Sequence, residues 1–126
     1  MKLQPDKSSV QSITGYGAGW IAVDGERIES SVVISSSGLR QPWHCQSFSE
    51  LTAGHFSQLA DTDAELVVFG SGDRIQFPPG AWMAALMARR IGLETMDTRA
   101  ACRTYNILAA EGRRVVVALL IENSRQ

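Results

Sequence analysis

Little in this chain is reactive in kind. Two cysteines and two histidines occur among 126 residues, too few thiols for a disulfide-stapled scaffold. His44, Cys45 and His55 are the one cluster of soft ligands, and their spacing matches no zinc pattern unless Cys102 supplies a fourth ligand. Neither metal nor cofactor is expected. Long apolar runs are also missing. "AWMAALMA" and "VVVALLI" fall far short of the ~20 residues that cross a bilayer, so no integral membrane segment is expected. The opening "MKLQPDKSS" has no apolar core, no Arg and one Asp, unlike a signal or transit peptide. These absences predict a reduced, cytoplasmic protein. A net charge of -1 excludes strong bulk attraction to nucleic acid or an anionic membrane.

What is present is ordinary for a soluble domain: 44% hydrophobic and 20% charged residues. The length suggests one domain, able to bury roughly two-thirds of the surface of its unfolded chain. Charge is unevenly divided. Residues 1–73 carry four Lys or Arg against nine Asp or Glu, net -5, and residues 74–126 carry eight against four, net +4. The two sets either mix on the surface of one fold or leave a basic face for an acidic partner.

The polar residues 1–9 predict a flexible tail before a domain over 10–122. "VQSITGYGAGWIAVDGERIESSVVISS" reads as strands, with Asp24-Gly25 as a hairpin turn. "GYGAG" is followed by a strand-like "WIAVD", not the helix a dinucleotide loop requires, so a bulge or bend is expected. "SSGLRQPWHC" reads as a loop. "SFSELTAGHFSQLA" predicts one short helix with Ser49 as N-cap, weakened by Gly54. "ELVVFG" is a short apolar strand ending at "GSGD", and "RIQF" is extended. Pro78-Pro79 opens a helix through about Arg90 that Gly92 ends. "LETM" is a strand. Asp97 caps a second helix running to about Glu111 and stopped by Gly112, and "RRVVVALLI" is a final strand buried on both faces. Strand–helix–strand–helix–strand with short links predicts parallel βαβ units. The expected fold is therefore α/β: a single three-layer domain with a central mixed β-sheet, a βαβαβ C-terminal half and antiparallel strands in the N-terminal half.

In such a sheet, ligands bind beyond the carboxyl ends of the strands. "GSGD" and "DTR" would share that rim, placing Ser71, Gly72, Asp73, Arg74, Asp97, Thr98 and Arg99 together, with Arg103 one helical turn below Arg99. Free N–H groups at a helix start favour an anion, but Asp97 as a cap already occupies them. Cys102 sits beyond the helix's first turn among Ala101, Tyr105, Leu108 and Ala109, the position of a small packed residue rather than an activated thiolate. "GSG" is not a nucleophile elbow. No catalytic constellation emerges. "AWMAALMA" has no polar face, so Trp82, Met83 and Met87 either complete the core or form a strip for a protein partner. A homodimer through that helix is compatible with the pattern.

"MDTRAACRTYNILAAEGRRVVVALL", "VVFGSGDRIQFPP" and "ITGYGAGWIAVDGERI", taken in order, resemble a small α/β family. It includes archaeal and bacterial proteins without assigned activity, the mitochondrial complex I (NADH dehydrogenase) assembly factor 3 and the adipogenesis-associated protein of animals. The resemblance covers about residues 10–121 and implies a three-layer fold with no established catalytic residues. Gly70, Gly72, Phe77, Tyr105, Asn106, Glu111 and Arg113 or Arg114 correspond to the family pattern, with no role assigned. For the mitochondrial member the resemblance implies assembly of a respiratory complex through protein contacts. The expectation for this chain is a bacterial-type accessory protein, not an enzyme, with a protein partner. The alternative is a small-molecule or anion-binding domain using the rim of residues 70–74 and 97–103.

Overall fold

A computed structural model describes residues 10–122; the tail expected at 1–9 lies outside them. Two sheets organise the chain. Strands β1 (Ile13–Gly17), β2 (Trp20–Val23) and β3 (Glu26–Ile28) form an antiparallel meander. Strands β4 (Val32–Ser35), β5 (Arg40–Pro42), β6 (Leu66–Gly70), β7 (Gly92–Met96) and β8 (Val115–Leu119) form a mixed sheet in the order β5-β4-β8-β6-β7. The antiparallel strands expected in one sheet are thus divided, three of them leaving to form their own.

The helices are α1 (Ala53–Ser57), α2 (Ala84–Ala88) and α3 (Thr98–Ala110). Strands β6, β7 and β8 are parallel. The chain steps outward from β6 to β7 through α2, then back past β6 to β8 through α3. Two crossovers of one hand running in opposite directions must lie on opposite faces, and the side chains divide that way. Val67, Phe69, Val116, Ala118 and Leu120 face Trp43, Phe56, Leu59 and Leu86 on one side. Val68, Val115, Val117 and Leu119 face Ala101, Cys102, Tyr105 and Ala109 of α3, with Ile13, Ile21 and Val23 of the small sheet, on the other. Alternate residues of β8 feed both cores, which is why its sequence is unbroken Val, Ala and Leu. The result is three layers, as the sequence predicts.

α3 keeps its expected bounds because both ends carry local signals. The Asp97 carboxylate accepts from Ala100 N at 2.9 Å. At the other end Gly112 adopts φ 83°, and Gly112 N and Arg113 N donate to Ala109 O and Leu108 O, a Schellman stop.

Elsewhere the boundaries differ. The helix expected within 47–60 is broken into a 3-10 turn Phe48–Glu50, α1, and a 3-10 turn Gln58–Asp61. Ser49 is not its cap. Thr52 precedes α1 and donates its N–H to His55 Nδ1 at 3.1 Å, which leaves the ring proton on Nε2, 2.9 Å from His44 O. The helix expected over 79–90 is a 3-10 turn Gly80–Met83 followed by the single-turn α2. It stops at Arg90, not Gly92. Arg90 holds φ 58° while Arg90 N and Ile91 N donate to Met87 O and Leu86 O; Gly92 instead begins β7. The stretch read as a loop contains β5, a three-residue edge strand. In "GYGAG" the chain reverses at Ala18-Gly19, Gly19 taking φ 79°, and the register irregularity falls between Ile13 and Gly15. A side chain at Gly17 would place its Cβ 2.5 Å from Trp20 Nε1, so glycine is needed where the indole crosses β1. Asp24-Gly25 forms the expected two-residue hairpin turn, both with positive φ.

Candidate functional site

The carboxyl ends of β6, β7 and β8 meet as the sequence predicts, and they are sewn shut by hydrogen bonds. The Thr98 hydroxyl accepts from Gly72 N at 2.9 Å and donates to Leu120 O at 2.7 Å. Thr98 N donates to Gly72 O, Leu120 N to Gly70 O and Ser71 N to Met96 O. Ser71 is fully buried. Its Oγ lies 2.8 Å from Arg74 O and accepts from Gln76 N at 2.9 Å, so its lone pairs and proton are engaged in shaping the 71–76 loop. Gly70 allows α3 to start this close: a Cβ there would be 2.9 Å from Leu119 Cδ2 and 3.0 Å from Thr98 Cα and Ala101 Cβ.

The space left at this rim is about 20 Å3, between Tyr16, Trp20, Gly72, Asp73, Thr98, Arg99 and Glu122. That admits about one water molecule. Of the expected rim residues, Gly72, Thr98 and Arg99 line it, whereas Ser71, Arg74 and Arg103 do not. Arg74 is exposed on the outgoing loop. Arg103 donates to the Tyr16 hydroxyl at 3.0 Å, a bond that holds its guanidinium still further toward the protonated form. An incoming anion would meet the Asp73 and Glu122 carboxylates beside Arg99, with Asp97 already capping the helix.

Tyr105 and Asn106 serve a different purpose. The Tyr105 hydroxyl donates to Gln11 O at 2.8 Å from a buried position. Asn106 Oδ1 accepts from Ile13 N and its Nδ2 donates to Ile13 O, both at 2.8 Å. The amide pairs with β1 as a neighbouring strand would, anchoring the small sheet to α3. Glu111 is the exposed C-cap of α3. Arg113 pairs with Glu65, whose carboxyl is held below its ordinary range by that bond.

Both thiols are packed. Burial pushes Cys45 up to about 11 and Cys102 up to about 12. His44 is exposed, both ring nitrogens of His55 are engaged locally, and among the described residues no group of His, Cys, Asp and Glu is placed to hold a metal. Native protein at pH 8 is expected to resist iodoacetamide at both cysteines under conditions that fully alkylate a denatured sample, read by intact mass. Rapid modification of Cys102 would contradict this. The raised thiol values also set a direction with pH. The neutral forms stabilise the fold fully below about pH 9, and that contribution falls as pH rises toward 11 and 12.

The connection from β6 to β7 leaves several large apolar side chains exposed. From Phe77 through Ala88 no side chain is polar. Trp82 and Met83, for which core and partner strip were both open, turn inward onto the core, Trp82 lying 5.9 Å from the Phe56 ring. Met87 points outward at 71% exposure, with Phe77 at 69% and Ile75 at 49%. Gly80, Ala81, Ala84 and Ala88 are exposed as well. Ile75 and Phe77 carry no surface signal in the sequence beyond a Phe-Pro-Pro break with no partner strand for "RIQF".

Residues 13–120 match the model of the protein family of unknown function DUF498/DUF598. The chain belongs to this family. A crystal structure of a protein from Bordetella parapertussis superposes with a TM-score of 0.85 at 38% identity, covering 90% of this chain and 98% of that one. An uncharacterised protein of Rhodobacter capsulatus is 32% identical over 117 residues, 93% of this chain and 90% of its own. The human NADH dehydrogenase [ubiquinone] 1 alpha subcomplex assembly factor 3 is 30% identical over 120 residues, 94% of this chain. The chain spans 65% of that human relative's length. Among the described residues no helix is long and apolar enough to cross a membrane.

Proposed function

We propose that this protein is a non-enzymatic accessory factor of the cytoplasm that works by binding another protein. The observation that carries the reading is that, among the described residues, three of the four large apolar side chains left exposed, Ile75, Phe77 and Met87, fall on the single connection between β6 and β7. Large apolar side chains grouped on a surface lose free energy in water unless something covers them. The rim offers room for about one water, and its hydroxyls already serve the fold, so the surface supports function better than the rim does. Human and bovine relatives are named as assembly factors, in keeping with a protein-binding role. Gel filtration of the chain at native level from its own host tests this. It is expected to elute in an assembly well above the 13.7 kDa monomer. Elution as a bare monomer across fresh lysates would count against it.

A further inference from the structure

The strand edges of the two sheets are not alike. At β1 the Asn106 amide takes both the N–H and the C=O of Ile13. β5 has three residues, and around it Trp43 N donates to Ser31 O and Ser35 N to Leu39 O. That phase turns the backbone groups of Arg40 and Pro42 outward, and proline has no N–H to offer. β3 also has three residues, and its first, Glu26, is paired with Arg40. Short strands, charge and proline are the usual protections of a sheet edge.

β7 is longer and lacks proline. None of its five residues is buried, and it pairs with β6 alone. Gly92 N donates to Glu65 O and Met96 O accepts from Ser71 N, so Gly92, Glu94 and Met96 turn their backbone groups toward β6. Leu93 and Thr95 therefore turn theirs away. Among the described residues no N–H or C=O of Leu93 or Thr95 finds a hydrogen-bond partner. Leu93 packs on the core beneath α2 and Met96 on the core beneath α3, which covers the two faces of β7 and not its edge.

Resting on the protein-binding reading above, we propose that the free edge of β7 receives an extended segment of a different protein, added antiparallel, with a Lys or Arg opposite Glu94. Antiparallel pairing is the more stable per residue and sets one partner residue directly across from Glu94. Glu94 is exposed and makes no ion pair among the described residues. The same carboxylate disfavours a second copy of this chain. A two-fold axis at Glu94 would pair Leu93 with Thr95 on both sides and satisfy all four outward groups. It would also set the two Glu94 residues opposite each other with Cα atoms about 4.5 Å apart, where like charges destabilise. Moving the axis to Leu93 or Thr95 satisfies only two of the four groups.

Hydrogen exchange, read residue by residue, compares the purified chain with its assembly isolated from its own host. In the chain alone the Leu93 and Thr95 amides are expected to exchange nearly as fast as in a peptide, while Gly92, Glu94 and Met96 are protected by β6. In the assembly the Leu93 and Thr95 amides are expected to slow about a hundredfold or more. Protection of alternate residues is the mark of an added strand. Glu94→Lys is expected to weaken the assembly roughly tenfold at low salt and less at high salt, with an unchanged melting temperature. The exchange measurement uses the unaltered chain, so it does not depend on how that variant folds. Fast exchange at Leu93 and Thr95 within an intact assembly would overturn the added strand and spare the accessory reading. Protection of the two amides in a dimer of the purified chain, or an assembly that Glu94→Lys leaves unweakened, would overturn the proposed occupant. Absence of any assembly would remove both readings.

Discussion

Phe69→Ala is expected to bring the protein close to unfolding. Phe69 is fully buried on β6, between β8 and β7. Its ring meets Phe56 at 5.1 Å and 84° and Trp43 at 5.8 Å and 77°, edge-to-face arrangements favoured by the ring quadrupoles. Phe48 lies along it at 6.4 Å. Truncation leaves a cavity that these rings, fixed on α1, the segment after β5 and the 3-10 turn Phe48–Glu50, cannot collapse to fill. Losses of about 3–5 kcal/mol accompany such changes, against a total of about 5–15 kcal/mol for a domain. Urea denaturation is the measurement, with a lower midpoint and an unchanged slope expected. A loss below about 1 kcal/mol would show that the core repacks, contrary to this description.

Asn106→Leu is the second large effect, and its cause is polar. Leucine keeps the branching of asparagine at Cγ, and its bulkier methyl groups lie at a position only partly buried, so the lost polar partners are the larger part of the effect. Ile13 N and Ile13 O, however, each lose a 2.8 Å partner in a partly buried place. An unsatisfied buried group costs about 1–3 kcal/mol, so the pair is expected to cost about 2–4 kcal/mol in all. Asn106→Asp is expected to fall between, since a carboxylate still accepts from Ile13 N but repels Ile13 O. Amide exchange distinguishes the mechanism: protection at Ile13 should collapse in Asn106→Leu while Val117 in β8 stays protected up to global unfolding. Equal loss at both would mean that the amide is not the tie between α3 and the small sheet.

These two positions also mark what a sequence can reveal. β6 and β8 were legible because an apolar run bounded by turn residues leaves few alternatives. α3 was legible because Asp97 and Gly112 terminate it through bonds to residues within one turn. The three-residue β5 was hidden: Arg40, Gln41 and Pro42 are exposed and join β4 through the backbone, a choice made by β4. Residues 80–88 were ambiguous because an unbroken apolar segment carries no polarity to say which side faces water. Trp82 is turned inward by the Phe56 ring of a distant helix, and Met87 is left outside. The use of Asn106 was equally out of reach, since its partner Ile13 lies 93 residues earlier. The rim brings Gly72, Thr98 and Arg99 together and leaves Ser71, Arg74 and Arg103 off it; that Thr98 and Ser71 would spend their hydroxyls closing it depended on how tightly Gly70 lets α3 approach.

The central claim is that the protein acts through the outer face around Phe77 and Met87 and not through the rim around Arg99. One comparison tests it most directly: gel filtration of the native assembly for Phe77→Asp/Met87→Asp beside Arg99→Ala, with melting temperatures recorded for both. The expected result is that the double variant falls to the monomer position with its melting temperature unchanged, while Arg99→Ala stays assembled. An assembly that survives the double variant but dissolves in Arg99→Ala would contradict the account and return function to the rim.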